Sequence, residues 1–157
     1  DRQARRQKQI VNYWRNSMLV GGIGLAVGTA ITFGVGMGLD GWSMTKCLAH
    51  LTVCEVALFI GYAVICLFIG YEEDVRGLAV RLVGVGAVWS GLWLVVSLIP
   101  VLPLYSVVIM GVITAVTLAA PLHVLTGRDW DDSFWIATGA WVLKLVGWTA
   151  LTMAVAL

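Results

Sequence analysis

Residues 46–71 read KCLAHLTVCEVALFIGYAVICLFIGY, and after Lys46 the run holds a single charged side chain, Glu55. At ~1.5 Å rise per residue, a helix of this length exceeds a hydrocarbon layer of roughly 30 Å. Four further runs have the same character: 17–39, 77–100, 104–125 and 134–157. Deep inside these runs only one more charge stands out, Lys144 in the last. The sequence therefore predicts an all-α, polytopic membrane helix bundle with five transmembrane helices.

The composition agrees. The chain has 157 residues, 60% hydrophobic and 12% charged, with mean hydropathy +0.91; soluble domains carry about 25% charged residues. The spans use most of the length, which leaves no room for a second, soluble domain. Two parts are expected: a basic interfacial arm over residues 1–16 and a five-helix domain over 17–157. The first span is too long and too rich in glycine to read as a signal-peptide core.

Charge distribution sets the orientation. Arg2, Arg5, Arg6, Lys8 and Arg15 crowd the arm. Ile10, Val11, Trp14 and Met18 recur there at helical spacing, so the arm is expected to lie on the membrane before turning in at residue 17. These cations are a candidate contact for anionic lipid, although a topology signal is the preferred reading. With the N-terminus inside, Arg76, Arg81 and Arg128 join the arm, while Lys46 stands alone outside. N-inside is therefore the expected topology, with a cytoplasmic N-terminus in a plasma or inner membrane. The connections are short: 40–45 and 101–103 outside, 72–76 and 126–133 inside. Pro100 and Pro103 bracket the tightest turn. Gly127 is expected to end the fourth helix, and Asp132 or Ser133 to cap the fifth. Trp14, Trp42, Trp130 and Trp135 fall at predicted boundaries, where interfacial aromatics belong.

On the first helix Gly22, Ala26, Ala30, Gly34 and Gly38 repeat every four residues, and Gly24 and Gly28 add a second small pair. Small side chains let helix backbones approach closely. The main stripe is expected to pack inside the bundle, with a subunit interface as the alternative.

Depth arithmetic links the two intramembrane charges. Glu55 lies about nine residues, or roughly 14 Å, below the outer end of its helix, and Lys144 about ten residues, or roughly 15 Å, above the inner end of its own. Both reach the midplane, where an unpaired charge costs at least about 2.5–3.5 kcal/mol on insertion scales. The two are expected to face each other, either as a structural pair that fixes helix register or as an ion- or substrate-binding site. Conventional transporter sites also use helix breaks near the midplane, and neither helix contains proline.

Other groups are weaker candidates. Cys47, His50 and Cys54 share a helix face and are soft enough for copper or zinc, but Cys47 and Cys54 lie about 10 Å apart along the axis. The chain's three cysteines, with Cys66, are all on the second span, too distant for an intrachain disulfide. His50 and His123 fall near opposite ends of their helices and cannot bracket one haem. No cofactor is predicted, with a metal or a single haem held by one histidine as the minor alternative. The inner acidic residues Glu72, Glu73, Asp74, Asp129, Asp131 and Asp132 have oxygens suited to a divalent cation or to receiving the basic arm, with solvated loops as the plain reading. No nucleophile set assembles at one depth, so the chain leans away from being an enzyme. Nothing points to nucleic acid.

The leading expectation for function is a non-catalytic integral membrane subunit that joins a larger transport or respiratory-type assembly or a homo-oligomer. The alternative is a small transporter or channel using Glu55, with Lys144 as counter-charge. A membrane redox subunit or enzyme comes third.

Overall fold

The computed structural model describes residues 2–69, 75–98, 109, 112–113, 116–120, 122–124 and 129–155. Four helices dominate them: α1 (Arg2–Gly38), α2 (Met44–Ile69), α3 (Val75–Ser97) and α4 (Trp130–Val155). Four segments are long and apolar enough to cross a membrane: Val11–Gly38, Met44–Phe68, Gly77–Ser97 and Trp130–Ala154. These make the chain an all-helical membrane protein. The span expected over 104–125 and the turn at 101–103 lie mostly outside the described residues.

The turn expected at residue 17 is absent: α1 runs unbroken for 37 residues, about 55 Å at ~1.5 Å per residue. No glycine or proline occurs before Gly21, so nothing stops the helix where polarity changes. The last helix also starts earlier than expected. Trp130 opens it and the Asp129 carbonyl accepts the Ser133 N–H at 3.0 Å, which puts Asp131 and Asp132 inside its first turn. There the carboxylates oppose the positive end of the helix dipole.

A tight turn joins α1 to α2. The amides of Leu39 and Asp40 return to the Val35 carbonyl, and Trp42 N donates to Gly36 O at 2.7 Å. Gly41 carries φ +65° in the middle of this turn. Ser43 then caps α2, its Oγ accepting from Lys46 N at 3.2 Å. A side chain at Gly41 meets no neighbour, so Gly41→Ala is expected to cost only the left-handed backbone penalty, about 1 kcal/mol. The check is the unfolding midpoint in a denaturing detergent series.

Helix α1 packs chiefly on α3, and α2 chiefly on α4, with α3 also against α2. Glycine decides the first contact. Gly24 meets the Gly84 backbone, and a Cβ built there would stand 2.9 Å from its Cα. Gly21 abuts Val80 and Gly28 abuts Ala87 and Val88, leaving no room for a methyl group. The partners rise together in number, so α1 and α3 are parallel. On the other side Gly147 meets Val53, and Gly61 meets Ala140. Those partners run in opposite senses, so α2 is antiparallel to α4.

The apolar core lies between α2, α3, α4 and residues 118–122, with Leu58, Val85, Trp89, Leu118 and Ile136 fully enclosed. Large apolar side chains also point outward, among them Phe68 (83% exposed) and Met153 (82%). Lipid is the natural cover for such a surface.

Candidate functional site

The most concentrated polar chemistry of the described residues lies within the bundle, on the C-terminal half of α3. Gly86, Trp89, Ser90 and Trp93 share one face of that helix at spacings of three and four. Side chains from α1, α2 and α4 converge on it.

A hydrogen-bonded chain crosses three helices. Thr32 Oγ1 of α1 lies 2.9 Å from its own Gly28 carbonyl and 3.0 Å from Ser90 Oγ. Ser90 Oγ lies 3.0 Å from His50 Nδ1 of α2. His50 Nε2 is 3.9 Å from Cys54 Sγ one turn further down. Thr32, His50, Ser90 and Cys54 are all fully enclosed. Each hydroxyl has one hydrogen to give, and an imidazole with one N–H donates from one side and accepts on the other. Two assignments therefore satisfy the chain. In one, Thr32 donates to Ser90, Ser90 to Nδ1, and Nε2–H faces the sulfur. In the other, the thiol donates to Nε2, Nδ1–H to Ser90, Ser90 to Thr32, and Thr32 to Gly28 O. A chain that runs in both senses can reverse without breaking a helix contact.

Aromatic rings seal this chain. The His50 ring sits 5.1 Å from Trp93, 5.3 Å from Trp148 and 5.5 Å from Trp42. Trp42 and Trp148 stack at 5.8 Å above it.

Lys144 of α4 enters the same region and is 1% exposed. Its Nζ stands 3.5 Å from the Trp93 ring centroid and 5.2 Å from that of Trp89. A desolvated cation over indole gains about 2 kcal/mol, which offsets much of the cost of placing it here. Among the described residues Nζ has no hydrogen-bond partner, and the Cys54 thiol lies close enough to act on its charge.

Glu55 takes a different position. Its carboxylate lies on α3 at Gly86, where a Cβ would stand 2.7 Å from Cδ and 3.0 Å from Oε1. A methyl group there would meet the end of this flexible side chain and displace it. Both carboxylate oxygens are enclosed and have no hydrogen-bond partner among the described residues. The Trp89 indole N–H is likewise buried and unpartnered.

The direct contact expected between Glu55 and Lys144 is therefore not formed. The two Cα positions are level, as the flanking contacts Val53–Gly147 and Gly61–Ala140 require. Side-chain direction separates them. The lysine stem carries its ammonium onto Trp93, while the carboxylate turns onto Gly86. Those anchors are seven residues apart on α3, about 10 Å along the axis.

The remaining candidates scatter. The stripe Gly22, Ala26, Ala30, Gly34 and Gly38 faces outward: Gly22, Gly34 and Gly38 have nothing within 4 Å of a built Cβ. The internal face of α1 is instead Ser17, Gly21, Gly24, Gly28, Thr32 and Gly36. Cys47 packs at Gly36, away from the His50–Cys54 pair. No group of three or more potential metal ligands gathers among the described residues. His123 stacks on Trp130 at 4.6 Å, near the opposite ends of the helices from His50. Asp129 and Asp131 are exposed and Asp132 is half-buried. Glu72, Glu73 and Asp74 lie outside the described residues, and so do the side chains of Arg2, Arg5, Arg6 and Lys8; Arg15 is exposed.

Sequence reading missed Thr32, Gly86, Trp89, Ser90 and Trp93. A signal for part of this set was present, because tryptophans at positions 89, 93 and 148 lie inside spans rather than at their boundaries.

Fold and site together define a membrane helix bundle with a sealed polar interior. No family model, curated protein or solved structure matches the chain.

Proposed function

We propose that this is a five-span membrane protein of the transport class, oriented N-inside, in which Glu55 is the proton- or cation-responsive group and Lys144 a fixed internal cation. The observation that carries this reading is the Glu55 carboxylate, enclosed near mid-bilayer with neither oxygen partnered among the described residues. An ionisable group at that depth is costly and marks a site of ion or proton handling by default. The two-sense hydrogen-bond chain beside it adds groups able to exchange hydrogens.

The topology has its own support. Helices α3 and α4 both run parallel to α1, since each is antiparallel to α2 or matched to α1 directly. The parallel course of α3 and α4 supports a further crossing between them and, with it, the five-span reading. Arg15 and Arg81 fall at the same end of the bundle, where Arg81 Nε donates to Ser17 Oγ at 3.0 Å. A basic end of this kind faces the cytoplasm of a plasma or inner membrane. The test of function is ion flux in vesicles reconstituted with the chain and with Glu55→Gln.

A second reading has its own observation. The outward stripe on α1 suits close approach of another helix, as expected of a non-catalytic subunit in a transport or respiratory-type assembly or of a homo-oligomer. If self-association runs through it, Gly34→Leu will convert the purified protein to monomer in native mass spectrometry without changing its helicity. An unchanged oligomer distribution removes the stripe from the interface.

A further inference from the structure

Lys144 places a positive charge inside the bundle with no counter-charge against it. Its Nζ stands 3.5 Å from the Trp93 ring centroid and 5.2 Å from that of Trp89. An ammonium carries three N–H donors and no acceptor. The Trp93 face takes up part of the charge, and the Cys54 sulfur is only a weak acceptor. Trp89 adds another donor. Its ring is fully buried, and its indole N–H, like Nζ, meets no acceptor among the described residues. Two donor groups, one of them charged, thus share one aromatic enclosure on a single face of α3.

The neighbouring groups do not supply the acceptor. His50 Nδ1 is engaged with Ser90 Oγ at 3.0 Å, and Nε2 faces Cys54 at 3.9 Å. Ser90 Oγ is shared with Thr32. The Glu55 carboxylate turns onto Gly86, seven residues from Trp93 along α3, or about 10 Å. Enclosing a charge is costly unless it is both paired and hydrogen-bonded. Contact with indole offsets part of that cost and leaves the charge uncancelled.

We propose that Lys144 Nζ and Trp89 Nε1 bind a small monovalent inorganic anion of the halide class. The inference rests on the Lys144 half of the reading above, a fixed internal cation, and not on Glu55. A halide accepts from both donors and cancels the ammonium, and hydrogen bonds between charged groups are the strong ones. Water would occupy the donors and leave the charge. A divalent anion would reverse its sign. Lys144 is 1% exposed and Trp89 0%, an enclosure too tight for a large organic acid.

The test is chloride binding at equilibrium. The purified full chain in a non-ionic detergent is titrated with sodium chloride against sodium gluconate at constant ionic strength, and the chloride NMR line width is read. The line broadens saturably, and bromide reverses the broadening. Lys144→Met removes it. Trp89→Phe keeps an aromatic ring, deletes the N–H and weakens binding about tenfold, the equivalent of one hydrogen bond to a charged group. Lys46→Gln removes a second ammonium near the enclosure, 4.7 Å from the Trp42 ring centroid, and leaves binding unchanged. A line width equal to that of protein-free micelles, broadening that persists in Lys144→Met, or wild-type affinity in Trp89→Phe overturns the assignment. Binding is read here without flux, so its failure leaves the reading of Glu55 standing.

Discussion

Gly28→Ala separates α1 from α3. The Cβ of alanine would enter the backbone of Ala87 and Val88, not the end of a flexible side chain. Neither helix has a rotamer to change there, so relief requires the backbones to part. Overpacking in a tight core costs about 1–3 kcal/mol and more where nothing yields; about 3 kcal/mol is expected here. Separation also stretches the Thr32–Ser90 bond, since Thr32 lies one turn above Gly28. The measurement is the free energy of unfolding in mixed micelles, with tryptophan fluorescence from Trp93 and Trp148 reporting on the site. Gly22→Ala is the control. It meets nothing within 4 Å and should change stability by less than about 0.5 kcal/mol. Equal effects of the two substitutions would mean that α1 presents its other face to α3.

Glu55→Gln is expected to abolish ion flux while leaving the bundle folded. The side chains have the same shape, so the amide fits the space at Gly86. No hydrogen bond from another residue is lost, because the carboxylate oxygens accept none among the described residues. What disappears is the ability to take up and release a charge. Flux in reconstituted vesicles should fall to that of protein-free vesicles, and the denaturation midpoint should move by no more than about 1 kcal/mol. Gly86→Ala approaches the same outcome from the opposite side, because its methyl group occupies the space the carboxylate needs. Loss of flux in Gly86→Ala with Glu55 intact would tie transport to the position of the carboxylate and not merely to its presence.

Much of the fold was legible in the sequence for a simple reason. Hydropathy over about 20 residues reports whether a helix can live in lipid, and residues 46–71 carry that signal with almost no interruption. The azimuth of each helix was not legible. In water an apolar stripe marks the buried face, but in lipid both faces are apolar, and close packing follows small residues instead. Helix α1 has small residues on two faces. The regular stripe through Gly22 and Gly34 faces away from the bundle, and the less regular one through Gly21, Gly24 and Gly28 packs on α3. The same gap explains Glu55 and Lys144. Counting residues placed both near mid-bilayer, and their Cα positions are indeed level. Counting gave no information on which way each side chain turns, and the length of the lysine stem let its ammonium reach Trp93 instead.

The central claim is that Glu55 is an enclosed carboxylate waiting for a proton or cation. Reaction with a hydrophobic carbodiimide addresses it most directly, because that reagent enters lipid and modifies a protonated carboxyl group in apolar surroundings. Mass mapping of the treated protein should find the adduct at Glu55, with labelling suppressed as pH rises or as a transported cation is added. Absence of label at Glu55 in the folded protein, or labelling that responds to neither pH nor any cation, would contradict the account.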